Sequence, residues 1–167
     1  AFNREYNTYT GTYQGIPVTI SSTGIGAPSA AIAMEELYDC GMEVAIRMGT
    51  VMGLKEGMLG KVLIPNGAMR LESTSDTYVP KGYPAVASIA LINAMNQSAK
   101  NNNRKYLNGI SATMDGFYSQ MRESRLSKKM ETDILMTFDE LAKFNVSGVD
   151  METSCMLVLG NLMDIKV

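Results

Sequence analysis

The sequence predicts an α/β fold with a mixed, twisted central sheet flanked by helices on both faces. Extended apolar runs alternate along the chain with stretches in which apolar residues recur about every 3.6 positions. Glycine or proline stands at many of the boundaries between them. With 167 residues, 46% of them hydrophobic, the chain is long enough to bury a substantial core. Alternation of this kind places a ligand site beyond the carboxyl ends of the strands.

Local signals define the elements in chain order. Gln14-Gly15 predicts a turn between two extended runs, and Ser29 is placed to cap a helix that Gly41 ends. Pro84 is expected to open a further helix, because proline suits the first helical turn. The predicted strands are 18–22, 44–48, 62–65, 106–113 and 146–149, and the predicted helices are 30–40, 84–100, 133–144 and 152–163.

Composition excludes several classes of function. A net charge of −2 with both signs interspersed gives no basic stripe for nucleic-acid phosphates, so nucleic acid is not an expected partner. No apolar run approaches the ~20 residues that span a bilayer, and the polar first residues do not resemble a signal peptide. We therefore expect no membrane partner and a cytoplasmic location. The chain has no histidine, which excludes a Ser-His-Asp triad, a Cys-His dyad and the commoner zinc sites.

The two cysteines, Cys40 and Cys155, are far apart and each lies in an apolar helical pattern. This placement favours two buried free thiols over a disulfide. Without histidine or a reactive thiol, catalysis would rest on arginine, carboxylate and backbone groups.

Arg47 is the sharpest candidate for chemistry. It interrupts the apolar strand 44–46, and a buried guanidinium is costly unless an anion or a carboxylate meets it. Gly49 and Thr50 follow with backbone N–H and hydroxyl donors, so the segment has the form of half a phosphate cradle. The alternative is a structural ion pair between Arg47 and a core carboxylate.

Other polar residues also fall at predicted strand ends. Gln120 and Arg122 could read the carbonyl and imide edges of a base, or simply be solvated on a loop. Asp150 and Glu152 would face the strand-end crevice, or favour the start of the next helix through its dipole. The turn 24–29 only weakly suggests a dinucleotide site, since its third glycine is missing and Pro28 removes a donor; a structural tight turn is favoured.

Taken together, these segments resemble the nucleoside phosphorylases, closest to the uridine phosphorylase type. The likeness rests on an ordered set of segments that follow one another as in that family. These are Arg4-Glu5-Tyr6, Ser22-Thr23-Gly24-Ile25-Gly26-Ala27-Pro28-Ser29, Arg47-Met48-Gly49-Thr50, Tyr83-Pro84-Ala85-Val86-Ala87, Phe117-Tyr118 with Gln120 and Arg122, and Met151-Glu152-Thr153-Ser154.

The resemblance implies phosphorolysis of uridine to uracil and ribose 1-phosphate in pyrimidine salvage, with phosphate as co-substrate and no cofactor required. Arg47, Thr50 and Gly49 would hold phosphate, and Arg122 would stabilise the charge on the departing uracil. The remaining implied contacts to substrate are Gln120 and Phe117 at the base, Met151 and Glu152 at the ribose, and Arg4 at a neighbouring subunit's phosphate.

The resemblance also implies a homo-oligomer of dimer units that could form a hexamer. A monovalent cation such as potassium would lie at the dimer interface, held by Glu5, Ser29 and the carbonyl of Ile25.

Departures from the family pattern leave alternatives open. We expect residues 1–167 to form a single domain that lacks the family's N-terminal strand and phosphate loop and its C-terminal strand and helix. Val51-Met52 replaces small residues of the base pocket, where Met52 could intrude, and Asp150 replaces a usual glutamate. The chain could therefore be a purine nucleoside phosphorylase, a nucleosidase that uses water, a non-catalytic nucleoside-binding subunit or an inactive truncated homologue.

Overall fold

The computed structural model describes residues 2–3 and 6–167, and it confirms the α/β class. The strands are β1 (Phe2–Asn3), β2 (Tyr6–Tyr13), β3 (Ile16–Ser21), β4 (Met52–Gly53), β5 (Val62–Leu71), β6 (Ala85–Val86), β7 (Tyr106–Met114) and β8 (Val146–Asp150). The helices are α1 (Ala27–Asp39), α2 (Ile89–Asn101), α3 (Arg125–Lys129), α4 (Ile134–Lys143) and α5 (Thr153–Leu162), with a 3-10 turn at Ser75–Thr77 and a π-helical turn at Phe117–Met121.

The main sheet is mixed, as predicted, and has the strand order β4-β8-β7-β5-β6. The three central strands β5, β7 and β8 run parallel, and the short strands β4 and β6 pair antiparallel at the two edges. The ends of the central strands are in register, because Arg70 lies opposite Thr113, which in turn lies opposite Asp150. Three polar side chains therefore meet at the carboxyl edge of the sheet.

Helices cover both faces of this sheet. Side chains alternate across a strand, so Ala112 and Met114 of β7 pack on one face against Leu141 of α4, while Thr113 points to the other face and accepts a hydrogen bond from the start of α5. Helix α5 is buried along residues 154–160 and packs against α1. No helix of the described ranges is long and apolar enough to cross a membrane.

Several element boundaries differ from the sequence prediction. Helix α1 begins at Ala27, not after Ser29, since Pro28 is accommodated in its first turn. The predicted strand 44–48 is reduced to one parallel bridge between Val44 and Lys166, because a strand needs a hydrogen-bonding neighbour along its length. The predicted helix at Pro84 is instead strand β6, and α2 begins only at Ile89.

The hairpin β2-β3 stands outside the main sheet and forms its own sheet with β1. Its turn lies at Gln14-Gly15, as predicted, where both residues have positive φ. Tyr6 at its base is buried, and its hydroxyl donates to the carbonyl oxygen of Ser29 at 2.9 Å. This hydrogen bond connects the hairpin to α1.

The cysteines are both free, as predicted, but only one of them is buried. Cys155 lies in α5 in contact with α1, whereas Cys40 is exposed just beyond the end of α1. The prediction of two buried thiols is therefore wrong for Cys40, because the apolar face of α1 ends before that residue. Burial, reinforced by the nearby Glu72 carboxylate, raises the pKa of the Cys155 thiol to about 12.

We expect this difference to appear in thiol labelling with a disulfide reagent at pH 8. Cys40 should react at once in the native protein, and Cys155 only after unfolding in guanidinium, because the thiolate is the reactive form and the Cys155 thiol is buried and protonated. The Cys40→Ser variant should show no rapid labelling until it is unfolded. Rapid native labelling of that variant would contradict the placement of Cys155.

Candidate active site

The Arg47 guanidinium lies between two carboxylates at the carboxyl edge of the main sheet. Its Nη1 is 3.2 Å from Oδ2 of Asp150, and its Nη2 donates a short hydrogen bond to Oε2 of Glu152. The Arg47 side chain is 22% exposed, while those of Asp150 and Glu152 are 2% and 7% exposed. This geometry is the alternative that the sequence left open, an ion pair between Arg47 and core carboxylates. The carboxylates of Asp150 and Glu152 lie close enough to neutralise the guanidinium charge.

Asp150 ends β8 and is held by three donors besides Arg47. Its Oδ1 accepts a hydrogen bond from the Thr113 hydroxyl at 2.8 Å. Its Oδ2 accepts from the Thr153 backbone N–H at 3.1 Å, and the Thr153 hydroxyl donates to the same oxygen. Both oxygens of Asp150 are therefore engaged with β7 and the start of α5.

Glu152 caps the N-terminal end of α5 and connects it to the glycine turn. Its Oε1 accepts a hydrogen bond from the backbone N–H of Gly26 at 2.7 Å, across 126 residues of sequence. Gly26 has φ 96°, a backbone conformation that favours glycine. The turn 24–29, which the sequence favoured as structural, thus also supplies a donor to the carboxylate cluster.

Gly49 leaves room for the Arg47 side chain. A Cβ atom at Gly49 would lie 2.9 Å from the central carbon and both terminal nitrogens of the guanidinium. A side chain at this position would therefore push Arg47 away from the carboxylates.

A cleft of about 760 Å³ opens beside this cluster. Arg47, Gly49 and Thr50 contribute to its wall together with Asp150 and Thr153, and Lys55 and Lys61 lie on the same wall. The predicted phosphate residues thus share one concave surface with lysine side chains. The cleft is large enough for a small ligand.

The predicted base-binding residues form a second group on the π-helical turn after β7. Gln120 folds back so that its Oε1 accepts the Gly116 N–H at 2.7 Å. Phe117 is 39% exposed and contacts Tyr118 edge-on. Arg122 is exposed, and its guanidinium makes no hydrogen bond or ion pair with the described residues. None of the three lines the cleft beside Arg47.

The two methionines singled out by the sequence pack into the core under α4. Met52 and Met151 are half-buried against the cluster that contains Met121, Leu141 and Val149. The cleft beside Arg47 includes Val51 but neither of these methionines. Met52 therefore does not intrude on that cleft.

The expected residues of the oligomer interface are only partly described. Arg4 and Glu5 lie outside the described residues. Ile25 is 80% exposed, and Ser29 donates from its hydroxyl to the carbonyl oxygen of Thr23 at 2.5 Å. The oxygen atoms of Ser29 are engaged within its own chain, since its carbonyl also accepts from Tyr6.

Sequence reasoning missed the polar network behind the site. Glu72 follows β5, is buried and accepts hydrogen bonds from the Ser154 hydroxyl and the Ser75 N–H, each at 2.9 Å. The backbone N–H of Ser154 donates to Thr113 at 2.8 Å, so the network reaches Asp150 through the Thr113 hydroxyl. Glu72 stands just after an apolar strand, the same signal that identified Arg47, and could have been found by it.

Arg70 is a second missed residue with the same signal. Its side chain is 5% exposed and donates to Ser75 Oγ at 2.8 Å, to Asp76 at 2.8 Å and to the carbonyl oxygens of Pro80 and Tyr83. Arg70 thereby holds the segment that follows β5 against the sheet edge. It does so without contacting Arg47.

Comparisons with known proteins identify the relatives of this chain. It is 36% identical to uridine phosphorylase of Thermococcus kodakarensis over 167 residues, which are 99% of this chain and 60% of that protein. It is 39% identical to guanosine phosphorylase of Halorubrum lacusprofundi over 124 residues, 74% of this chain and 52% of that protein. The crystal structure of uridine phosphorylase from Vibrio fischeri superposes with a TM-score of 0.86 at 36% identity, covering 100% of this chain and 65% of that one.

The chain thus spans about three fifths of the length of the first of these relatives. The family model described as the phosphorylase superfamily matches residues 1–167, and the superposition on a solved member extends over the same residues. The chain therefore belongs to the phosphorylase superfamily.

Proposed function

We propose that the protein cleaves uridine with phosphate to give uracil and ribose 1-phosphate, in pyrimidine salvage. The observation that carries this proposal is that Arg47, Gly49 and Thr50 lie together in the wall of one cleft. The names of the relatives support the same reaction.

Phosphate would bind where Arg47, Thr50 and the backbone of Gly49 face the cleft. Guanidinium groups bind phosphate oxygens through paired, charge-assisted hydrogen bonds. The three charged groups Arg47, Asp150 and Glu152 sum to −1, so a further cation would favour an incoming anion. Lys55 and Lys61 line the same cleft, and Arg4 of a neighbouring subunit would serve in this role.

The ribose would bind at Glu152, which would accept hydrogen bonds from the 2′ and 3′ hydroxyl groups, while Met151 packs against the sugar. The Gly26 N–H holds Oε1 of this buried carboxylate, so one of its two oxygens is anchored. An acceptor anchored in this way helps to position the anomeric carbon for attack.

The uracil would bind at Gln120, Arg122 and Phe117. The Gln120 oxygen is engaged with Gly116, so its amide N–H₂ group is left to donate to a base carbonyl. The Arg122 guanidinium would stabilise the negative charge that develops on the departing base.

In the reaction the bond between the sugar C1′ and the base N1 breaks, and a bond between C1′ and a phosphate oxygen forms. The electron pair of the broken bond leaves with the uracil, which takes up the proton released by hydrogen phosphate. Positioning and preorganised electrostatics suffice for this displacement, so no histidine and no cofactor are needed.

A purine substrate is the second candidate, and the similarity to a guanosine phosphorylase favours it.

We further propose that the protein assembles from dimer units, which could form a hexamer. Potassium would be held at the dimer interface by Glu5, Ser29 and the Ile25 carbonyl. These assembly residues rest on the family resemblance alone. The cytoplasmic location and the single domain stay predictions.

The proposal predicts that the full natural polypeptide containing this chain releases uracil from uridine only when phosphate is present. Ribose 1-phosphate should appear in equal amount, measured by chromatography of the products. Guanosine serves as the comparison substrate and should react more slowly. Equal uracil release without phosphate would indicate a nucleosidase, and no release from any nucleoside would indicate an inactive homologue.

The variant Arg47→Ala should lower kcat/KM for phosphate roughly thirtyfold or more, because a charged hydrogen-bond partner is lost. This change corresponds to about 2 kcal/mol of transition-state stabilisation. The matched control is Arg104→Ala, since Arg104 is exposed on the loop between α2 and β7. Steady-state kinetics with phosphate varied at saturating uridine measure the effect. Unchanged phosphate kinetics in Arg47→Ala would refute the assignment.

The variant Gly49→Ala should weaken phosphate use about tenfold, which corresponds to ~1.4 kcal/mol, because the new Cβ displaces the guanidinium. Gly82→Ala is the control, as a Cβ at Gly82 meets nothing within 4 Å. Both variants should keep the wild-type melting temperature within a few degrees. If both lower the phosphate kcat/KM equally, the contact between position 49 and Arg47 is not the cause.

A further inference from the structure

The two carboxylates on Arg47 are not equivalent. Each contacts a different terminal nitrogen of the guanidinium, Asp150 at Nη1 and Glu152 at Nη2. Together they carry one more negative charge than Arg47 neutralises, so an anion binds Arg47 more favourably when one of them gives way. Their other hydrogen bonds decide which of the two gives way.

Asp150 is the more firmly held. Thr113 donates to one of its oxygens, and the N–H and hydroxyl of Thr153 donate to the other. It is the last residue of β8 and its short side chain is 2% exposed. To leave Arg47 it would have to give up three further hydrogen bonds in a buried place, which is costly.

Glu152 is held on one side only. Its Oε1 accepts from the Gly26 N–H, whereas its Oε2 has Arg47 as its only hydrogen-bond partner among the described residues. Its side chain is one methylene longer, so Oε2 can turn away from Arg47 while Oε1 stays on Gly26. Hydroxyl groups of a sugar would then replace the lost donor at Oε2.

We infer that Asp150 is a positioning residue that stays on Arg47 throughout, and that Glu152 is exchanged for phosphate. Phosphate displaces Oε2 of Glu152 from Nη2, and the freed oxygen becomes the acceptor for the ribose hydroxyls. The inference rests on the proposed function, and it adds that the ion pair between Arg47 and Glu152 links the two substrates. Bound phosphate therefore raises the affinity for the nucleoside, and by thermodynamic linkage the bound nucleoside raises the affinity for phosphate by the same factor.

The test is the dissociation constant of inorganic phosphate, measured by titration calorimetry on the full natural polypeptide and three variants. Glu152→Gln removes the competing charge and should tighten phosphate binding about fivefold, because a ligand no longer has to displace a bound anion. Asp150→Asn removes the fixed support of Arg47 and should weaken phosphate binding about tenfold. Arg47→Ala should weaken phosphate binding about tenfold or more. General structural damage is not expected to change phosphate affinity in opposite directions when two neighbouring carboxylates are replaced.

A second measurement uses sulfate as an unreactive substitute for phosphate and follows uridine binding. Saturating sulfate should tighten uridine binding about fivefold in the wild-type protein. In Glu152→Gln sulfate should not change uridine binding, because the ion pair between Arg47 and Glu152 that the anion would displace is absent. Weaker phosphate binding in Glu152→Gln, or the same sulfate effect in that variant, would overturn the exchange. These outcomes are separate from the proposed function, which fails if the wild-type protein does not convert uridine with phosphate.

Discussion

The ion pairs between Arg47 and its two carboxylates are the constraint on which the site depends. Asp150 and Glu152 are nearly excluded from solvent, and buried carboxylates without a counter-charge are strongly destabilising. Arg47 supplies that counter-charge from a segment whose one described β-bridge pairs Val44 with Lys166, outside the main sheet. The guanidinium therefore holds the segment 45–50 beside the start of α5 as much as the carboxylates hold the guanidinium.

Sheet register explains why these groups meet. The parallel strands β5, β7 and β8 end together, so Arg70, Thr113 and Asp150 stand side by side across three strands. Thr113 accepts a hydrogen bond from the Ser154 N–H and donates one to Asp150. These two hydrogen bonds fix the start of α5 relative to the ends of β7 and β8. Behind it, Glu72 holds Ser154 from the neighbouring strand. The position of the charged cluster is thus set by hydrogen bonds that lie deeper than the cleft itself.

Much of this arrangement could be predicted from the sequence. Periodicity gave β7, α4 and α5 within a few residues, and a charged side chain at the end of an apolar strand identified Arg47. The failures have physical causes. Residues 44–48 have the composition of a strand but pair only at Val44, and Pro84 is equally suited to a helix start or to an edge strand such as β6. Pattern alone does not decide between these outcomes.

The site itself was harder to predict than the fold. The sequence placed Asp150 and Glu152 near the crevice, but whether Arg47 would be paired depends on distances across more than 100 residues, which spacing does not encode. Similarly, the orientation of Gln120 depends on its contact with Gly116, a local choice among rotamers. Long-range pairing and side-chain direction are therefore where the structure adds most.

The hydrogen bond from Gly26 to Glu152 has a consequence for how this site tolerates sequence drift. Its donor is a main-chain amide, so every residue except proline would keep this donor at position 26. What selection must preserve is the shape of the turn, and with φ 96° that shape is compatible with glycine far better than with any other residue. The position of the Glu152 carboxylate therefore depends on the conformation of this turn, and sequence changes that alter the cluster would have to act through other side chains.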